Sequence, residues 1–573
     1  MYGDTEGFKE RLRSGKGLLA VAAILLVIGL FMAARTQTAG GITVSDVRFR
    51  APDGTQLSAL VYRPTNATPQ TPAPGILAVH GYINTRETQS AFAIEFARRG
   101  YVVVALDQRG HGYSGGAATA KGFGGPEGLA YLRSLPFVDK DQIGLEGHSM
   151  GGWTILAAAA AMPEDYRAMV LEGSSTGAPF AKEGTPTWPR NLALVYSRFD
   201  EFAPLMWGVA SAPEVGKSAK LMTLFGTAAP VAADRDYGDI AVGTGRILRT
   251  PAATHPGDHI STVAVGDAAD WFARTLKGGT PRAAGDQIWW IKEAGTGLAL
   301  LGVAVLSFAL VELLLGAAYF APLRRPAAPA YDPRRWRRAF VLAAFVPAIT
   351  FYMALMVLPP PIPPFALMPQ AVTNWLLVWA LVNVALALGI ARLLKRAEPA
   401  RPPLQWPSAA LLALIVVGTM YLAVAAAALI PADMRFWVIA LRPLDGGQFA
   451  AFLAYLAPFT LFIAVTFRGL QAIYARASTA RGQALLAGAA LSAGFFILTG
   501  AQYLFLFATG RLPVAAEALN AIVAIQFVPL LFGLGMFAVF CERRTGSWLP
   551  GALIAGPFVT WYMVAGTATH VAI

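Results

Sequence analysis

Apolar and polar positions alternate in three different ways along the chain, and each pattern predicts a different kind of structure. Gly17 to Ala34 is an uncharged apolar run that follows Lys9, Arg11, Arg13 and Lys16. As a helix it is long enough to cross about 30 Å of hydrocarbon. Its length exceeds the roughly 7–15 apolar residues of a cleaved signal peptide, so it predicts a signal anchor over 17–34 behind a basic tail at 1–16. Whether or not the segment is cleaved, the domain directly after it is expected to be exported.

Polar residues return over 43–277, where short β-type runs alternate with helical ones. Val44 to Arg50 and Gln56 to Arg63 flank Pro52-Asp53-Gly54 and predict a hairpin. Gly75 to Val79, Val102 to Leu106, Ile143 to Glu146, Ala168 to Leu171 and Leu192 to Tyr196 are continuous apolar runs, the pattern of strands covered on both faces. With helical stretches between several of them, a largely parallel sheet and an α/β fold are expected.

From Ile288 onward the pattern is that of a membrane protein. Trp289 and Trp290 stand where an interfacial aromatic belt would begin, and apolar stretches continue at 297–320, 339–358, 375–392, 409–430, 448–467, 484–508, 519–541 and 548–568. With the first anchor these predict nine spans, the last eight forming an all-α bundle over 288–573. Segment 431–447 reads either as an interfacial helix or as part of a miscounted span, and Leu444-Asp445-Gly446-Gly447 as a turn.

Composition agrees with a chain partly in lipid. Hydrophobic residues make up 55% and charged residues 14% of its 573 positions, against roughly 45–50% and about 25% in soluble proteins. The formal charge of +12 does not point to nucleic acid, because the basic residues flank apolar stretches instead of forming a basic face. They fall on alternate connections. Arg324, Arg325, Arg334, Arg335, Arg337 and Arg338 lie on one; Arg392, Lys395, Arg396 and Arg401, then Arg468, Arg476 and Arg481, then Arg543 and Arg544 lie on others. The opposite short loops hold only Arg435, Arg442 and Arg511. This asymmetry predicts a multi-pass protein of the plasma or inner membrane, with a cytoplasmic N-terminus and residues 43–277 outside. Cys541, the sole cysteine, excludes a disulfide within the chain, and no metal or cofactor site is expected. The Asn66-Ala67-Thr68 sequon carries little weight.

The strongest chemical signal is Gly147-His148-Ser149-Met150-Gly151-Gly152, with the apolar run Ile143 to Glu146 before it and the Ala-rich stretch Trp153 to Met162 after it. A G-x-S-x-G between a strand and a helix is a nucleophile elbow, in which a sharp turn exposes the serine and leaves no room for neighbouring side chains. His80-Gly81-Tyr82 ends one apolar run, and Leu106-Asp107-Gln108-Arg109-Gly110-His111-Gly112 ends the next; Gly116 and Gly122 to Gly125 then lead toward the elbow. In this order the motifs resemble the α/β-hydrolase superfamily over 43–277.

The resemblance implies a serine esterase, lipase or peptidase-like domain fused to a transmembrane helix bundle. It implies Ser149 as nucleophile, with the backbone N–H groups of Met150 and Tyr82 as the oxyanion hole. It implies structural roles in holding loops for His80, His111 and His148. The family order places the base after a last strand, read at Arg246 to Arg249, and the loop beyond offers His255, which is preferred, and His259, beside a closing helix at Ser261 to Leu276. The orienting acid should come after Leu192 to Tyr196, where Asp200 is the choice and Glu201 the alternative. The lid position between the strands at 168 and 192 is short, and the insertion lies instead between Glu201 and Arg246, partly helical, either covering the site or facing the bilayer.

Short tethers at both ends hold such a site near the lipid headgroups, so the expected substrate is a small-molecule or lipid-like acyl compound, with membrane lipid as the surrounding partner. Within the spans, Glu312 is the one carboxylate well inside, expected to pair with a neighbouring helix or line a path. Asn383, Gln502 and Gln526 are expected in interhelical hydrogen bonds. A transport or sensing protein with a non-catalytic hydrolase-like domain is the competing class.

Overall fold

The computed structural model describes residues 14–326, 336–357, 367–393, 405–566. Helix α1 (Gly15–Gln37) is N-capped by Ser14, whose hydroxyl accepts from Gly17 N–H at 3.1 Å. Beyond a short link the soluble part begins with the expected antiparallel hairpin, β1 (Thr43–Arg50) and β2 (Gln56–Arg63). The chain continues through β3 (Ala73–Val79), α2 (Ser90–Arg98), β4 (Val102–Asp107), α3 (Gly125–Ser134), β5 (Val138–His148) and α4 (Met150–Ala161). Then come β6 (Ala168–Glu172), β7 (Leu192–Val195), α5 (Ala203–Trp207), α6 (Ala219–Phe225), β8 (Asp236–Tyr237), β9 (Arg246–Arg249) and α7 (Thr262–Thr275).

The strands form one nine-stranded sheet in the order β1-β2-β4-β3-β5-β6-β7-β9-β8. All pairings from β4 through β9 are parallel, and only the edges, β1-β2-β4 and β9-β8, are antiparallel. Side chains alternate between the faces of a strand, and both faces are apolar here. Ile76 and Ala78 pack with Phe92, Phe96 and Phe272 of α2 and α7. Leu77 and Val79 pack with Leu129, Leu132, Ile155 and Leu156 of α3 and α4. Every residue of β3 and β4 is buried, as their unbroken apolar runs require.

The second half comprises α8 (Trp289–Leu315), α9 (Trp336–Val357), α10 (Ala371–Leu393), α11 (Trp406–Ala427), a hairpin β10 (Met434–Phe436) and β11 (Ile439–Leu441), α12 (Gly446–Tyr474), α13 (Ala480–Thr509), α14 (Ala518–Thr545) and α15 (Leu549–Gly566). Among the described residues eight helices, including α1, are long and apolar enough to cross a membrane. The further stretch expected at 339–358 is helix α9, which carries Pro347. Helix α1 lies along α8 at very close range: a Cβ on Gly29 would stand 2.4 Å from the Gly295 carbonyl oxygen, the small-residue contact that membrane helices use.

Four expectations need correction. Segment 431–447 is neither an interfacial helix nor a span, but the β10–β11 hairpin turning at Trp437, whose φ is 49°. Arg435 and Trp437 of this segment donate to Asn84 and Pro256 of the soluble domain, and Asp433 pairs with Lys292 of α8, which favours a folded-back loop. Leu444 to Gly447 is not a turn but the start of a helix: Asp445 N-caps α12 in a reciprocal capping box with Gln448, and Gly446 and Gly447 are its first residues. Helix α8 begins well before the predicted span, bringing Lys292 and Glu293 into it, where Lys292 Nζ meets Asp433 Oδ1 at 2.9 Å and Glu293 Oε1 at 3.1 Å. Of the three polar residues expected to link helices, Asn383 bonds Thr350 of α9 and Gln526 accepts from Tyr562 of α15, whereas the side-chain oxygen of Gln502 has no partner among the described residues. Glu312 pairs with Arg544 of α14.

The hairpin and its flanks bind the two halves together beneath the carboxyl ends of the strands. Arg442 Nη2 lies 3.2 Å from Glu87 Oε1, Tyr113 O–H donates to the Pro443 carbonyl at 2.9 Å, and Gln448 Nε2 donates to the Gly112 carbonyl at 2.7 Å.

Candidate active site

Ser149 sits between β5 and α4 with φ 55° and ψ −122°, a backbone conformation that side chains seldom adopt. The flanking glycines are required by close approach: a Cβ on Gly147 would stand 2.4 Å from the Gly151 carbonyl oxygen, and one on Gly151 2.1 Å from that of Val79. Ser149 N–H donates to the Glu172 carbonyl at 2.8 Å, fixing the bend to the end of β6. Helix α4 starts at Met150, so its N–H is one of the orphan donors of a first turn. Neither it nor the Tyr82 N–H is engaged by a backbone acceptor among the described residues.

The other candidate residues converge from separate elements. Asp200 comes after β7 and His255 after β9, and His255 Nδ1 and Asp200 Oδ2 are 2.7 Å apart. The second Asp200 oxygen accepts from Phe202 N–H at 2.7 Å and Tyr196 O–H at 3.2 Å, so the carboxylate is fixed from two sides. The imidazole lies between the rings of Phe202 and His148, with centroid distances of 4.6 and 4.5 Å. Both members of the pair abut Gly173, the residue after β6: a Cβ there would stand 2.8 Å from His255 Nδ1 and 3.1 Å from Asp200 Oδ2. The Ser149 hydroxyl makes no hydrogen bond to another side chain among the described residues.

The alternatives occupy different places. His259 packs against His148 with tilted rings whose centroids are 4.1 Å apart, and both its ring nitrogens lack hydrogen-bond partners among the described residues. Glu201 does not reach the imidazole; its Oε2 accepts from the His255 backbone N–H at 2.7 Å. His148 Nε2 donates to the His255 carbonyl at 2.9 Å, and His80 Nε2 accepts from Gln108 N–H at 3.2 Å, so both hold loops. His111 Nδ1 is 3.0 Å from the Arg109 carbonyl.

Charge separates the three histidines nearest the elbow. For His255 burial disfavours the imidazolium, but the Asp200 carboxylate outweighs it and the pKa lies above the usual 6.5. His148 is pushed down, by burial and then by the neighbouring His255, and His259 well down, chiefly by burial. His80 is driven to about 3 by burial. Glu201 is raised to about 7, by burial and then by the charge of Asp200.

Sequence reasoning missed the residues that the second half contributes. Arg435 Nη2 donates to Asn84 Oδ1 at 2.6 Å, anchoring the loop that carries Tyr82, and Trp437 Nε1 donates to the Pro256 carbonyl at 2.7 Å, beside His255. No local pattern marks such contacts, which join positions hundreds of residues apart. The insertion after Glu201 touches both halves: Trp207 Nε1 donates to the Ser174 carbonyl at 3.1 Å and Ala212 N–H to the Gly510 carbonyl at 3.1 Å. Groups of three or more metal-ligating side chains do not occur among the described residues.

Residues 53–200 match the family model described as X-Pro dipeptidyl-peptidase (S15 family). A monoacylglycerol lipase of Mycolicibacterium smegmatis is 34% identical over 127 residues, covering 19% of this chain and 41% of that protein. The quorum-quenching protein AidA of Acinetobacter baumannii is 34% identical over 122 residues, covering 20% of this chain and 39% of its own. The chain thus spans about two fifths of the length of these curated relatives. Among solved structures, an esterase of Pyrococcus furiosus is 20% identical, with a TM-score of 0.30 over 41% of this chain and 94% of its own. With its sheet order, its strained elbow and its family match, the chain carries a domain of the α/β-hydrolase superfamily, joined to a bundle of long apolar helices.

Proposed function

We propose that the protein is a membrane-anchored serine hydrolase that transfers an acyl group to water. His255 takes the proton of Ser149 Oγ as it attacks an ester, thioester or amide carbonyl, and Asp200 holds the imidazole tautomer and its developing charge. The tetrahedral oxyanion is received by the N–H groups of Tyr82 and Met150. His255 then protonates the leaving group, and water releases the acyl chain by the same steps in reverse order.

The observation that carries this reading is the 2.7 Å Asp200–His255 pair, whose imidazole packs 4.5 Å from the ring of His148, the residue before the serine in the strained bend. Closing the Ser149–His255 contact falls to the bound substrate, since catalytic hydrogen bonds often tighten only in the complex. The arginine asymmetry supports placing the domain outside the membrane. An acyl-lipid substrate is supported by the tethers, which leave 38–42 between α1 and β1, and by the lipase named among the relatives.

The test is labelling of the full-length protein in detergent by a fluorophosphonate probe. Wild-type protein should label, and Ser149→Ala should not, at unchanged melting temperature. Folded wild-type protein that neither labels nor cleaves aryl esters would sink the enzyme reading in favour of a ligand-binding domain.

A further inference from the structure

Glu201 stands next to the proposed acid yet makes no contact with the imidazole. It is 2% exposed, and its two oxygens point in different directions. Oε2 accepts from the His255 backbone N–H at 2.7 Å, and Oε1 accepts from Tyr503 O–H at 2.8 Å. Tyr503 belongs to α13, one of the helices long enough to span a membrane, and lies 302 positions away in sequence. One carboxylate thereby links a helix of the bundle to the backbone that carries the proposed base.

The surroundings make the link specific. Phe199, one residue before Asp200, packs edge-on against Phe507 one turn further along α13, with centroids 5.1 Å apart. Phe199, Phe202 and Tyr503 share a small apolar cluster with Leu506, Leu512, Ala518 and Ala521, and Phe202 is the ring that flanks His255. A cavity of about 320 Å³ opens beside the link, between Asp200, Glu201 and Pro204 on one wall and Phe505, Gly510 and Arg511 on the other. The link therefore borders open space on one side and the apolar cluster on the other. A buried carboxylate with two donors is also costly to leave half-satisfied. The groups around Glu201 are Asp200, Tyr196, His255 and Tyr503, with Arg511 across the cavity; burial first and the charge of Asp200 second push its pKa up to about 7.

We infer that Tyr503 of α13, acting through Glu201, is a positioning residue for His255, so that the helix bundle is part of the catalytic apparatus and not only its anchor. This rests on the triad proposed above. A shift of α13 along or about its axis would pull Glu201 and move the His255 backbone, which gives the bundle a direct means of tuning hydrolysis.

The experiment uses full-length protein in detergent with p-nitrophenyl butyrate. Tyr503→Phe keeps the ring and removes the hydroxyl; Glu201→Gln keeps the size and removes the charge. Each should lower kcat about 10-fold, the scale of one lost hydrogen bond to a charged group, with KM changed less than about 2-fold, because the ester does not touch either residue. The double variant should be no slower than the worse single one, since both act along one path. Melting temperatures separate folding from function: a folded Tyr503→Phe with wild-type kcat overturns the inference, as does a multiplicative loss in the double variant or a loss confined to KM. Wild-type protein that neither turns over the ester nor labels with fluorophosphonate overturns the hydrolase reading itself, a result readily told apart from the others. Should the variants unfold, the fluorophosphonate labelling rate of Tyr503→Trp decides: equality with wild type refutes the link.

Discussion

Adding a single methyl group at Gly173 should disable the site without unfolding the domain. Gly173 has φ 51°, lies just past β6, and donates its N–H to the Val195 carbonyl at 3.0 Å. A Cβ there would stand 2.8 Å from His255 Nδ1, 3.0 Å from Cε1 and 3.1 Å from Asp200 Oδ2. Ordinary contact begins at 3.4 Å, so in Gly173→Ala the imidazole must retreat by about 0.6 Å or more. It must do so on the side where Nδ1 meets the carboxylate, and retreat stretches that bond. Losing a hydrogen bond to a charged group costs about 1.5–3 kcal/mol, which corresponds to roughly a 10–100-fold fall in kcat/KM. Displacement of a reacting group by about 1 Å is worth a similar factor. The left-handed backbone adds about 1–2 kcal/mol of folding cost for alanine, within reach of a domain with an extensive buried core. The assay is the second-order labelling rate by fluorophosphonate beside ester hydrolysis, with a melting curve for each variant. A folded Gly173→Ala that labels within about 3-fold of wild type would show that His255 and Asp200 do not work from the positions described, and the triad would have to be abandoned.

The same geometry sets two further outcomes. Because Asp200 holds the His255 pKa above 6.5 against the opposing effect of burial, and a general base must be neutral, activity should rise with pH along a limb centred above 6.5; in Asp200→Asn the residual activity, lower by about 10³–10⁴-fold, should have that limb moved to lower pH, and an unmoved limb would count against the pair. Linkage has the matching sign: the Asp200–His255⁺ interaction stabilises the fold at pH below 6.5, and that contribution fades as pH rises through the raised value, so a wild-type melting temperature should show a component that falls through this window and is missing in Asp200→Asn. In the bundle, Gly29→Val would thrust its side chain into the Gly295 carbonyl, 2.4 Å from the new Cβ, and overpacking of this kind costs about 1–3 kcal/mol; the detergent-solubilised protein should melt several degrees lower, and an unchanged melting curve would mean that α1 does not lie against α8.

Sequence alone determined whatever depends on neighbours along the chain. Continuous apolar runs marked β3, β4, β6 and β7 because a strand covered on both faces has no polar side to show. The elbow at Ser149 was legible because glycines at 147 and 151 answer to a turn made within a few residues. Long uncharged runs marked the helices of the second half, since lipid tolerates little else. The parts decided by tertiary structure all involve separation. Asp200 and Glu201 are adjacent and chemically alike, and only the packing of β7 against β9 turns one toward the His255 ring and the other toward its backbone. His255 and His259 share one loop, and the α7 side of the sheet buries the second against His148 and Phe92. The β10–β11 hairpin could not be told from an interfacial helix or a piece of a span because its three-residue strands carry no period of their own; it forms because the soluble domain supplies partners for Arg435 and Trp437. Local patterns fix local conformation, whereas which of several similar side chains meets a partner is set by contacts whose two ends the chain keeps far apart.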